Sequence, residues 1–205
     1  MTVYKSFDDI ERAVLESGKK ARVAMACAQD PDGLAAVVDA HRRGVIEATL
    51  IGDVDRIQEL LSTAGESADE YTIIACDDEL AAGKLAVSMV RSGEADIPMK
   101  GLMMTANFMR AILDKQDGLL PPGKLLSQAT VLEWPAQDKM MVISDCAVNI
   151  SPDLDQKVQI TRNAIDLAHL LGYEHPNVGV LSALEVVKDK IPSTIDARAI
   201  ADMEW

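Results

Sequence analysis

Through the first 115 residues, short apolar runs alternate with longer stretches in which apolar residues recur every three or four positions. The short runs, at residues 22–27, 48–51, 72–76 and 96–99, are apolar on both faces and read as buried strands. The periodic stretches, at residues 6–17, 31–43, 54–61, 79–91 and 105–115, read as amphipathic helices. Asp30-Pro31-Asp32 is a helix-start signal, while Gly44 and Gly93 stop the helices before them. Such alternation predicts an α/β fold: a doubly wound, mostly parallel sheet with right-handed crossovers and helices on both faces.

The pattern changes at Asp117-Gly118-Leu119-Leu120-Pro121-Pro122-Gly123, a Gly/Pro-rich loop that marks the expected boundary between a first domain, 1–123, and a second, 124–205. Two apolar runs follow, 129–134 and 140–144, joined by Pro135-Ala136-Gln137-Asp138. So short a join requires antiparallel pairing, because a parallel crossover needs a dozen or more residues. Residues 152–171 read as a long helix ended by Gly172, 178–181 as a strand, and 193–203 as a helix. That last helix runs into Trp205 with no cap and no closing strand. On this pattern the sheet is expected to lack a partner and the chain to be a fragment or a truncated gene product, with both domains incomplete.

Composition narrows the function classes. A net charge of −13 opposes generic binding to nucleic acid or to an anionic membrane surface, although a local cation cluster can still hold a small anion. Aromatics make up only 3%, which removes the stacking platforms of single-strand binders. Cys27, Cys76 and Cys146 lie far apart without a CxxC pair, against a zinc site or redox dithiol. With no signal peptide and no long apolar run visible, a cytoplasmic location is expected.

In open α/β sheets ligands bind beyond the carboxyl ends of the strands, and four polar groups fall there. The first follows the run at 96–99: Lys100, Thr105, Asn107 and Arg110. With Thr105 as a helix cap, backbone N–H groups and two cations would make an anion site; the alternative is an ordinary turn with solvated charges. The second group is Lys124 and Ser127. In the third, Asp145 and Asn149 either orient a substrate or close a turn, with Ser151 or Asp153 as helix caps. Ser182 is the fourth. No His or Lys at diagnostic spacing makes a triad of either serine, and His41, His169 and His175 read as structural or solvated. Neither GxxxxGK[ST] nor an early GxGxxG is present, which disfavours P-loop enzymes and Rossmann dehydrogenases.

Taken together, Met99-Lys100-Gly101, Thr105-Ala106-Asn107, Arg110, Lys124-Leu125-Leu126-Ser127, Ser144-Asp145-Cys146-Ala147-Val148-Asn149, Pro152-Asp153-Leu154-Asp155-Gln156-Lys157, Val180-Leu181-Ser182-Ala183 and Pro192-Ser193-Thr194-Ile195-Asp196-Ala197 carry a resemblance. In their order and spacing the chain resembles the phosphate acetyltransferase/phosphate butyryltransferase family over nearly its whole length, with details closer to the butyryl branch. The resemblance implies a two-domain architecture like isocitrate and isopropylmalate dehydrogenases, with the active site in the cleft. It implies reversible acyl transfer between coenzyme A and inorganic phosphate, with acyl-CoA, phosphate and acyl phosphate as substrates. Coenzyme A would be a substrate, with no permanently bound cofactor and no metal, and the enzyme a homo-oligomer.

Arg110 matches the family's phosphate-holding Arg, and Thr105 and Ser127 match residues that line that pocket. Lys124 stands where many members carry Arg. The family's base and its partner Arg belong to a Ser-Arg segment that these 205 residues do not contain. No catalytic residue is therefore expected among them, and a non-catalytic chain that only binds phosphate, CoA-type ligands or another chain is the alternative.

Overall fold

A computed structural model of the chain describes residues 2–205. The chain divides into two compact units: Ile10–Pro122, and the segment up to Asp9 together with Gly123–Trp205. The segment before Ile10, expected in the first domain, thus groups with the later residues instead. Its hydrogen bonds explain why. The Tyr4 N–H donates to the Leu171 carbonyl at 3.0 Å, and the Phe7 N–H to the Glu133 carboxylate at 2.6 Å. The Tyr173 hydroxyl accepts from the Met140 N–H at 2.9 Å and donates to the Tyr4 carbonyl at 3.1 Å. No local pattern in residues 1–9 encodes such distant partners.

After α1 (Phe7–Ser17), the first unit runs β1 (Ala21–Ala26), α2 (Pro31–Arg42), β2 (Ile46–Gly52), α3 (Val54–Thr63), β3 (Thr72–Ala75), α4 (Glu79–Ser92), β4 (Ile97–Lys100) and α5 (Thr105–Ile112). All four strands are parallel, in the order β3-β2-β1-β4. Alternate residues of β1 feed two cores, as the two-residue period of a strand requires. Met25 packs with Leu34, Val37, Leu50, Ile57 and Leu61, under α2 and α3. Ala24 and Ala26 face Ala82 and Ala86 of α4 on the other side. The sheet is doubly wound, and its strand order reverses between β1 and β4.

At the amino-terminal end of that β1/β4 seam, Arg22 and Asp96 clasp the two strands. The guanidinium grips both carboxylate oxygens, at 2.7 and 3.0 Å, and the Arg22 N–H adds a third bond at 2.8 Å. These bonds, the guanidinium's first, pull the Asp96 carboxyl down to about 2. A folded-state value below the unfolded one, about 3.9, stabilises the fold above pH 4 and is lost as pH falls toward 2. Asp96→Asn is therefore expected to lower the urea midpoint at pH 7, with the gap to wild type closing between about pH 4 and pH 2. A gap independent of pH would reject the assignment.

The second unit contains β5 (Ala129–Trp134) and β6 (Lys139–Ser144), α6 (Leu154–Leu170) and α7 (Pro192–Ala201). The two strands pair antiparallel, Ala129 opposite Ser144 and Trp134 opposite Lys139. Asp153 opens α6 with a capping box, its carboxylate accepting the Gln156 N–H while the Gln156 side chain accepts the Asp153 N–H. Residues 178–181, expected as a strand, take no regular structure, and Leu181 is 89% exposed. An apolar run becomes a strand only where a ladder partner exists. This unit's one sheet among the described residues is the β5–β6 ribbon, and the run pairs with neither strand.

Candidate functional site

The reversal of strand order between β1 and β4 places the loops after Ala26 and Lys100 side by side at the carboxyl edge of the sheet, where open α/β folds bind ligands. Backbone bonds lock them together. Gly101 N–H donates to the Ala26 carbonyl at 2.7 Å, and Leu102 N–H to the Cys27 carbonyl at 2.9 Å. Cys27 itself adopts φ +55°, rare for a residue with a Cβ. Burial pushes its thiol up, away from the nucleophilic thiolate, and the carboxylates of Glu79 and Asp78 add to the rise.

Three of the four strand-to-helix joins here are closed by an aspartate N-cap. Asp30 accepts from the Asp32 and Gly33 N–H groups, Asp53 from Arg56, and Asp78 from Ala81. The fourth join, β4 to α5, is built differently. Its N-cap is Met104, which has no acceptor to offer, and Thr105 is the first helical residue rather than the expected cap. The cap comes from elsewhere. Oε1 of Glu79, the first residue of α4, accepts from the Met104 N–H at 2.7 Å and from the Asn107 side-chain amide at 2.9 Å. Its other oxygen, Oε2, has no partner among the described residues.

Lys100 lies on the other side of the same peptide, with Nζ 3.4 Å from the Met103 carbonyl oxygen. Because a trans peptide points its C=O and N–H in opposite directions, the ammonium and the Glu79 carboxylate flank one peptide plane without pairing. Arg110 follows in the last turn of α5, three residues after Asn107 and so on the neighbouring stretch of helix surface. It is exposed and, among the described residues, makes no hydrogen bond or ion pair. Thr105 is also exposed and has no hydrogen-bond partner there.

In the second unit the predicted groups are tied into loop structure. The Asn163 side chain, on α6, donates to Ser127 Oγ at 2.9 Å and to the Leu125 carbonyl at 3.1 Å. Asn149 donates to the Leu126 carbonyl at 3.0 Å and to the Asp145 carboxylate, whose other oxygen accepts from the Ala147 and Val148 N–H groups. Burial would raise the Asp145 carboxyl, but the Val148 N–H, the Asn149 amide and the Ala147 N–H outweigh it and hold the group below its usual range. Asp145 and Asn149 therefore close a turn and brace the loop at 124–127. Lys124 is exposed, and Ser182 Oγ lies 2.8 Å from Ser193 Oγ.

Glu79 and Asn163 were not among the candidates read from the sequence. A signal for the first was available: Asp77-Asp78-Glu79 is an acidic triplet directly after a strand, at the sheet edge where ligands bind. For Asn163, one polar residue on a helix face, there was none. Among the described residues no group of three or more His, Cys, Asp or Glu is arranged to hold a metal ion, and no helix is long and apolar enough to cross a membrane.

Comparison with known proteins bears on this geometry. Residues 78–204 match the family described as phosphate acetyl/butaryl transferase. The chain is 38% identical to the phosphate butyryltransferase of Clostridium acetobutylicum, over 97% of this chain and 65% of that protein. It is 36% identical to the phosphate acetyltransferase of Thermotoga maritima, over 91% and 63%. The solved branched-chain phosphotransacylase from Enterococcus faecalis V583 superposes with a TM-score of 0.72 at 29% identity, over 88% of this chain and 62% of that one. The chain thus spans just under two thirds of the length of these relatives. The match begins at Asp78, so it takes in Glu79, the Lys100–Arg110 segment and the second unit from Gly123 to Glu204. The chain belongs to the phosphate acetyl/butaryl transferase family.

Proposed function

We propose that this chain carries the phosphate-binding part of an acyltransferase that interconverts acyl-CoA plus inorganic phosphate with acyl phosphate plus CoA. The observation that supports it most directly is Arg110, an exposed guanidinium with no hydrogen-bond or ion-pair partner among the described residues, standing on the same short helix as Thr105 and Asn107 within the family match. A guanidinium can grip two phosphate oxygens at once. Lys100, at the end of β4, adds a second cation at the same join. Within the second unit, Lys124 and Ser127 are the binding residues that the family resemblance suggests, and Asn163 holds Ser127 in place. Asp145 and Asn149 would act by bracing that loop, and Ser182, paired with Ser193, is a separate candidate from a segment that resembles the family.

In the reaction, the CoA thiolate attacks the acyl phosphate carbonyl. A C–S bond forms, the bond between the acyl carbon and the bridging phosphate oxygen breaks, and phosphate leaves with the bonding pair. The residues named here have the task of positioning an anion and stabilising its charge as it leaves, and none of them is assigned as the base for the thiol proton. The test is release of free CoA from butyryl-CoA and phosphate, followed with a thiol reagent, and phosphate-dependent release is expected. The relatives' greater length favours a second reading, binding without turnover. Calorimetric phosphate or CoA binding with no thiol released would establish it, and neither binding nor turnover would reject both.

A further inference from the structure

The fourth strand-to-helix join differs from the other three in taking its cap from another helix, and the capping group is a carboxylate at the start of the helix that carries the proposed anion-binding residues. Glu79 Oε1 is fully engaged by the Met104 N–H and the Asn107 amide. The carboxylate, carried by α4, is thereby fixed at the first turn of α5, the helix that holds Thr105 and Arg110. An ionised carboxylate only accepts hydrogen bonds. Its unpartnered Oε2 would repel a fully deprotonated oxyanion and would accept a hydrogen bond from an oxyanion that still carries a proton. Near neutral pH inorganic phosphate retains a P–OH proton, whereas sulfate, alike in size and charge, has none.

We propose that Glu79 is a specificity-determining residue which admits protonated phosphate to this site and rejects sulfate, with Oε2 accepting the P–OH proton. The proposal rests on the phosphate reading above. Glu79 acts here on a ligand, beyond its part in starting α5. A purely structural cap would be blind to the difference between the two anions, so their ratio isolates the proposed role.

The experiment titrates the full chain with sodium phosphate and, separately, with sodium sulfate at pH 7 and matched ionic strength, following binding by calorimetry. Wild type is expected to prefer phosphate by at least about tenfold, the value of one hydrogen bond to a charged group. In Glu79→Gln the amide oxygen can still accept from Met104 and Asn107, so the cap is retained, while the amide NH2 donates to either anion. The ratio is expected to fall toward one, chiefly because sulfate binding is gained.

Equal binding of the two anions by wild type, or an unchanged ratio in Glu79→Gln, overturns the proposal and leaves the phosphate reading standing. Failure of wild type to bind phosphate overturns both. The wild-type ratio requires no variant, so a folding defect in Glu79→Gln does not protect the idea.

Discussion

Arg110→Ala is expected to weaken phosphate use by about 10- to 100-fold while leaving the thermal midpoint where it was. The first half of that expectation comes from the charge-assisted bonds that an exposed guanidinium can give a phosphate, worth about 1.5–3 kcal/mol. The second half comes from the structure of the free chain. Arg110 is exposed and, among the described residues, makes no hydrogen bond or ion pair, so its removal breaks no polar tie within the fold. The measurement pairs phosphate affinity, or the phosphate KM where turnover is found, with a melting curve. Arg110→Lys should fall between the two, because it keeps the charge and loses the fork. Unchanged phosphate affinity in Arg110→Ala would remove this residue from the site.

A second substitution should lower the stability that the first leaves alone. Gly101→Ala adds one methyl group where there is no room: a Cβ there would lie 2.3 Å from the Cys27 carbonyl oxygen and 2.8 Å from the Met25 side chain. The first of these neighbours is backbone, itself pinned by the Leu102 N–H, and cannot swing aside as a side chain end would. Overpacking of this kind costs about 1–3 kcal/mol, read as a lower urea midpoint. Phosphate affinity should fall as well, because the displaced segment is the one that leads from β4 into α5. A variant as stable as wild type would show that the β1/β4 edge is looser than its geometry implies.

The parallel sheet was legible because its signals are local. Each strand is a compact apolar run, and Asp30, Asp53 and Asp78 mark the helix that follows by sitting at its first turn. The join at Thr105 was misread for the same reason. Its cap is Glu79, which lies 25 residues before Met104, and no window around Thr105 contains that information. The run at 178–181 has the same apolar pattern as the true strands, but pattern does not supply a ladder partner. Of the candidate site, the Lys100–Arg110 segment was visible as a combination of cations with a strand-to-helix join. The roles of Asp145 and Asn149 were left open by the sequence, since a short polar side chain that closes a turn and one that faces a ligand look alike; the distances to Ala147, Val148 and Leu126 add the loop contacts that no local pattern encodes.

The tie between Tyr173 and Tyr4, 169 residues apart, has a consequence for the order in which this chain can be assembled. Domains fold largely as they leave the ribosome, the earlier ones first. The residues from Ile10 to Pro122 form one uninterrupted unit, so everything that unit requires has been made before the β5–β6 ribbon exists. The segment up to Asp9 is synthesised before any of it, yet its partners Glu133, Met140 by way of Tyr173, and Leu171 arrive last. The beginning of the chain therefore spends most of translation waiting, and its middle is finished before its two ends can meet.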